Sequence, residues 1–158
     1  TSSSPTIRAS AWTVENEAAC FTSGCSISTV WDLTAGLDQL VSAALTVEWA
    51  GDFSSSWERA TFAVDDQLVA TCLSSRGVDC PAVYETCAVV DVNDDLRAGS
   101  LSATMDASAA VNAFCTDSDY TNYAMRVRFT LAYECTYRAG PTGCWGTAFP
   151  DDLPGADR

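Results

Sequence analysis

The chain has 158 residues, eight cysteines and a formal net charge of −13; all eight of its basic residues are arginine, and it has no histidine. Without histidine or lysine, the usual acid–base, metal-ligand and Schiff-base side chains are missing, and the negative charge argues against nucleic acid and anionic membrane surfaces as partners. With 47% hydrophobic residues, the chain can bury a core as one domain, 1–158, with extended terminal segments at about 1–14 and 149–158.

Apolar residues recur with period two along most of the chain, which predicts strands. Ile7–Val14 reads as an N-terminal strand. Ile27, Thr29, Trp31 and Leu33 share one face of the next, and Leu45, Val47 and Trp49 alternate with Thr46 and Glu48 in a third. Ala60–Val64, Leu68–Cys72 and Cys87–Val92 follow, then Leu101, Ala103 and Met105. Asp106–Phe114 is the one stretch with a modest helical pattern, and it reads equally as a loop. The clearest strand runs from Tyr123 to Cys135, where Met125, Val127, Phe129, Leu131 and Tyr133 alternate with Arg126, Arg128, Thr130, Ala132 and Glu134. Gly51-Asp52, Asp65-Asp66, Arg76-Gly77 and Ala139-Gly140-Pro141 are among the turn signals between them. About eight strands at this spacing predict an all-β fold, an antiparallel β-sandwich with jelly-roll topology. No apolar run approaches the ~20 residues of a membrane helix, so membrane insertion is not expected.

The cysteines are Cys20, Cys25, Cys72, Cys80, Cys87, Cys115, Cys135 and Cys144. They include no CxxC pair, and without histidine zinc spacing fails. Four disulfides in an oxidising compartment are expected, so the protein reads as secreted or extracellular. The start at Thr1 is taken as a mature or trimmed form. Closeness along the chain suggests Cys20–Cys25, Cys80–Cys87 and Cys135–Cys144, leaving Cys72–Cys115 as the long staple.

Leu45–Thr71 reads as strand, Gly-Asp turn, Ser-rich loop, strand, Asp-Asp turn and strand. Val90–Met105 (VDVNDDLRAGSLSATM) reads as polar turn, Leu, Gly and strand. These segments, about a third of the chain, resemble galactose-binding-domain-like jelly rolls. The resemblance implies a sandwich that serves as a carbohydrate-binding or accessory module, and carries over no binding residue.

Candidate sites carry paired readings. Asp91, Asn93, Asp94 and Asp95 are either a solvated acidic turn or a calcium site, since calcium takes six to eight oxygen ligands; no other cofactor is expected. Trp57 and Trp145 lie in loops and either cover the ends of the core or offer an aromatic platform to a glycan, with Asp52, Glu58 and Arg59 beside Trp57. Trp12, Trp31 and Trp49 read as core. Arg126 and Arg128 either pair across strands, the preferred reading, or face another subunit. Glu48, Glu58 and Glu134 are the carboxylates available for glycoside hydrolysis, but no nucleophile–base pair can be assembled, so no catalytic residue is assigned and the protein is expected not to be an enzyme. The expected function is structural: a homo-oligomer or polymer, a subunit of an extracellular filament or surface layer. In it Thr6–Val14, presenting Ile7, Ala9 and Ala11, adds a strand to a neighbour's sheet. The alternative is a carbohydrate-binding module.

Overall fold

The computed structural model describes residues 7–32, 40–98 and 100–138, and side chains for all of these except 7–10, 32, 97 and 135–138. The described residues form eight strands and one short helix: β1 (Ile7–Cys20), β2 (Ser26–Asp32), β3 (Leu40–Gly51), β4 (Arg59–Val64), β5 (Gln67–Leu73), β6 (Glu85–Asp91), α1 (Asn93–Arg97), β7 (Ser100–Ala107) and β8 (Met125–Arg138). They make two four-stranded antiparallel sheets, ordered β1-β8-β3-β6 and β2-β7-β4-β5. The ladders nest: β1 pairs with β8, β2 with β7, β3 with β6 and β4 with β5.

Alternation explains the packing. One face of each strand must leave water, and the two apolar faces meet as a sandwich core. Val127, Phe129 and Leu131 of β8 and Leu45, Val47 and Trp49 of β3 point inward from one sheet; Ile27, Trp31, Leu101, Met105 and Phe62 point inward from the other. The rings of Trp31 and Phe129 meet edge to face across the layers, 6.3 Å apart. Trp31 and Trp49 are buried as expected, and Trp12 packs against the core from a partly buried position.

Of its two readings, Asp106–Phe114 takes the loop rather than the helix: β7 continues to Ala107 and an irregular loop follows, while the helix is Asn93–Arg97. Asp94 and Asp95 lie in the helix's first turn, facing its positive end, while Val92 and Leu96 are fully buried and anchor it. One expectation needs correction: the N-terminal segment is no free arm. Ile7–Val14 pairs residue by residue with Arg138–Leu131 of its own sheet, Ala9 opposite Thr136 and Ala11 opposite Glu134.

The disulfides follow sheet geometry rather than closeness in sequence. Cys20–Cys25 forms as expected, but Cys72 bonds Cys87 and Cys80 bonds Cys115, correcting the Cys72–Cys115 and Cys80–Cys87 pairings. Cys20–Cys25 links β1 to the start of β2, and Cys72–Cys87 links β5 to β6. Each of these bonds therefore joins an edge of one sheet to the neighbouring edge of the other. Cys144, Trp145 and the side chain of Cys135 lie outside the described residues.

Candidate functional site

The antiparallel strand directions bring the β1–β2, β3–β4, β5–β6 and β7–β8 connections to one end of the sandwich. The Cys80–Cys115 bond ties two of these loops together. Backbone hydrogen bonds knit the rest: Cys80 N–H to the Gly51 carbonyl at 2.7 Å, Asp52 N–H to Ala124 at 3.1 Å, and Gly24 N–H to Val111 at 3.1 Å. Gly51 is required at this crossing. Its φ is +152°, and a Cβ there would lie 2.2 Å from the carbonyl oxygen of Ala124.

Asp52 follows directly and is only 2% exposed. Its Oδ2 accepts the Asn112 N–H at 2.7 Å. Carboxylate oxygens of Asp52, Glu58 and Asp79 lie within 4.8 Å of one another. Burial, then the hydrogen bond with Glu58, pushes Asp52 from 3.8 up to about 7. Glu58 moves the other way. Burial pulls it upward, but hydrogen bonds from Asp52 and from Ser55 and Ser54 outweigh that and hold it below its ordinary value. The pair thus keeps a proton on Asp52 and a charge on Glu58 well above the usual carboxylate range. Chemically, three such groups can share a proton or offer oxygens to a hard cation.

Beside them Trp57 is 76% exposed. Its backbone is fixed although its ring is free of cover: Ser108 Oγ donates to the Trp57 carbonyl at 2.6 Å, and the Arg59 N–H donates to Ser108 Oγ at 3.2 Å. Asp52, Glu58 and Arg59 were legible as polar neighbours of Trp57. Asp79 was missed because it comes from another loop, and its place beside Cys80 was the only signal.

The other sequence-predicted residues are scattered. Asp91 and Asn93 serve the fold: the Asn93 N–H donates to Asp91 Oδ1 at 2.9 Å, and Asn93 Oδ1 accepts the Ala43 N–H. They stand with Asp94 and Asp95 at the opposite end of the sandwich. Burial and a hydrogen bond with Asp65 raise Asp95. Arg128 makes a two-pronged cross-strand pair with Glu48, at 3.0 and 3.1 Å. Arg126, 7% exposed, is paired with Asp117 at 2.8 Å and donates to the Ala82 carbonyl at 3.2 Å. Both guanidinium groups stack on Tyr84, at 4.5 and 4.7 Å from its ring centre. The arginines are thus committed within the chain, along a groove of about 420 Å³ that Glu17 and Asp119 also line. Glu48, Glu58 and Glu134 are not brought together: Glu134 lies six residues along β8 from Arg128, the partner of Glu48, a span of roughly 20 Å.

A different feature marks the side where β5 and β6 are joined. β5 is an edge strand of sequence QLVATCL without a charged residue or proline. Leu68 is 66% exposed, Leu73 55% and Val69 39%, and Val89 on neighbouring β6 is 66% exposed. Each of the other edge strands carries charge: Arg8, Glu15 and Glu17 on β1, Asp32 on β2, Glu85 and Asp91 on β6.

No protein-family model matches the chain, and no curated protein matches it. Among solved structures it is similar to dimeric latent PorU from Porphyromonas gingivalis, at 7% identity and a TM-score of 0.42 over 79% of this chain. It is also similar to the VP2 subviral particle of infectious bursal disease virus, at 11% identity and a TM-score of 0.31 over 85%. The chain spans 13% of the first protein's length and 37% of the second's.

Proposed function

We propose that the protein is a secreted, non-catalytic structural module that self-assembles through the edges of its sheets. The observation that carries this reading is the uncharged, apolar, exposed edge of β5. Natural sheets blunt their edges with charge, proline or bulges because a bare edge recruits another strand. β5 has neither charge nor proline, and its single bulge, at Val69, leaves the apolar side chains of Leu68, Val69 and Leu73 exposed, so the edge reads as a place meant to be covered. Secretion is supported by the three disulfides among the described residues, since such bonds persist in oxidising compartments. The nested ladders support a jelly-roll topology, and with it the likeness to galactose-binding-domain-like sandwiches. Because Ile7–Val14 is held by β8, we place the assembly contact at an existing edge rather than in a donated N-terminal arm. The test is electron microscopy together with sedimentation of the purified protein across a concentration series. Oligomers, fibres or sheets are expected; a protein that stays monomeric when concentrated would sink the reading.

A second reading, a carbohydrate-binding module, draws on Trp57, whose 76% exposed ring stands beside Asp52, Glu58 and Arg59. In that case the ring supplies a sugar-stacking face, and a calcium ion would be held by the Asp52, Glu58 and Asp79 carboxylates. Glycan-array binding that Trp57→Ala abolishes and chelation weakens, by a protein that remains monomeric, would favour it.

A further inference from the structure

We infer that the occupant of the β5 edge is β5 of a second copy, paired antiparallel in a register centred on Ala70. This rests on the edge-assembly reading above and names its partner. Two observations select a second copy.

The first is charge. The chain carries a net −13, so most of its surface repels a copy of itself. The seven residues of β5 carry no charge, whereas the edges of β1, β2 and β6 all do. Two copies approach each other with the least local repulsion along β5.

The second is the arrangement at the strand's two ends. At one end stands the Asp65-Asp66 turn; at the other, Ser74, Ser75 and Arg76 follow Leu73. Arg76 is exposed, and its guanidinium is steadied by donating to the carbonyls of Val83 at 3.2 Å and Tyr84 at 3.1 Å. Antiparallel pairing about Ala70 sets Val69, the bulged residue between the Phe62–Ala70 and Ala63–Leu68 pairs, against Thr71 of the other copy, and beyond the bulge brings Leu68 and Gln67 alongside Cys72 and Leu73. It carries the Asp65-Asp66 turn of each copy to the Arg76 loop of the other. Unlike charges meet twice, once at each end of a contact that is the same patch on both copies, as a two-fold axis demands. Leu68, Val69 and Leu73, exposed in the single chain, lose water in the pair. The result is one continuous eight-stranded sheet, β2-β7-β4-β5 joined to β5-β4-β7-β2. This contact closes as a dimer. A filament needs a further contact elsewhere on the same unit.

The experiment is sedimentation velocity over a concentration series, with circular dichroism to confirm folding. Thr71 is exposed, so Thr71→Glu and Thr71→Lys should fold as the parent does. Each places two like charges at diagonal positions across the two-fold axis, roughly 7–8 Å apart, and dimerisation should weaken more than about 10-fold. The Lys variant lowers the net negative charge and the Glu variant raises it, so loss in both assigns the effect to the strand rather than to long-range repulsion. Asp66→Arg and Arg76→Asp should each weaken the dimer several-fold, and the double reversal should restore it. A parent that is monomeric throughout overturns both this inference and the edge-assembly reading. A parent that assembles alongside Thr71 variants that assemble equally well overturns the inference alone. So does loss in the Thr71 variants without restoration by the double reversal, which would mean that β5 receives some other strand.

Discussion

Gly51 and Asp52 show how much of the loop end depends on single residues. Because a Cβ at position 51 would meet the Ala124 carbonyl at 2.2 Å, on a backbone with φ of +152°, Gly51→Ala combines a clash with strain. It should destabilise the protein by about 2–4 kcal/mol, lowering the melting temperature by on the order of 10 °C; an unchanged melting temperature would show that the crossing can open at no cost. Asp52 gives a pH signature. Its folded-state value is raised from 3.8 to about 7, so between those values the folded chain holds a proton that the unfolded chain releases. Its contribution to stability is therefore complete below about pH 4 and is lost as the pH rises to 7. Glu58, held low, contributes with the opposite sign below its ordinary value, so above about pH 4.5 the Asp52 trend governs. With no histidine in the chain, few other groups titrate in that window. Thermal melts from pH 4.5 to 7.5 should show a fall in the parent that Asp52→Asn flattens, since an amide oxygen can still accept the Asn112 N–H. Parallel curves for the two proteins would exclude a shared proton. The sequence made Asp52 visible only as a polar neighbour of Trp57. The partner that completes the cluster, Asp79, comes from a separate loop, and no local pattern announces such a meeting.

At the scale of elements, the strands were legible because each buries one face, and burial of one face imposes period two on the sequence. The long β8 shows it best: five alternate residues from Met125 to Tyr133 are at most 2% exposed. Asp106–Phe114 reads as helix or loop because its apolar residues mimic a turn of helix; it is a loop that buries Val111, and the helix Asn93–Arg97, five residues long, is too short to show a period. The disulfides were legible as a set and misread as pairs. Cys72 and Cys87 lie on strands from different sheets, and their closeness follows from how the sheets stack, which no spacing in the chain records. That geometry yields an ordering. In the chain-entropy picture, a crosslink stabilises by restricting the unfolded chain, increasingly for longer loops. The separations are 5 residues for Cys20–Cys25, 15 for Cys72–Cys87 and 35 for Cys80–Cys115, corresponding to about 2, 3 and 4 kcal/mol. Paired Cys→Ala replacements should lower stability in denaturant titrations in that order. A larger loss at Cys72–Cys87 than at Cys80–Cys115 would mean that joining the two sheet edges matters beyond loop closure.

For the molecule as a whole, assembly sets an uncharged edge against a strongly charged body. Two copies of net charge −13 repel over a range set by the Debye length, about 30 Å at 0.01 M salt and about 8 Å at 0.15 M. The Asp66 and Arg76 contacts inferred at the β5 edge attract, but exposed pairs are worth only ~0–1 kcal/mol each, and salt weakens those as well. At low salt, repulsion between whole bodies outweighs those two pairs, whereas salt leaves the burial of Leu68, Val69 and Leu73 untouched. Raising the ionic strength from 0.01 to 0.15 M should therefore strengthen self-association, with most of the gain made once the screening length falls below the size of the domain. The response to salt tells an apolar contact from a charged one. An association that salt strengthens and Thr71→Glu abolishes is held by the strand edge. An association that salt weakens would place the contact among the charged groups, and the groove where Arg126 and Arg128 stack on Tyr84 would become the surface to test.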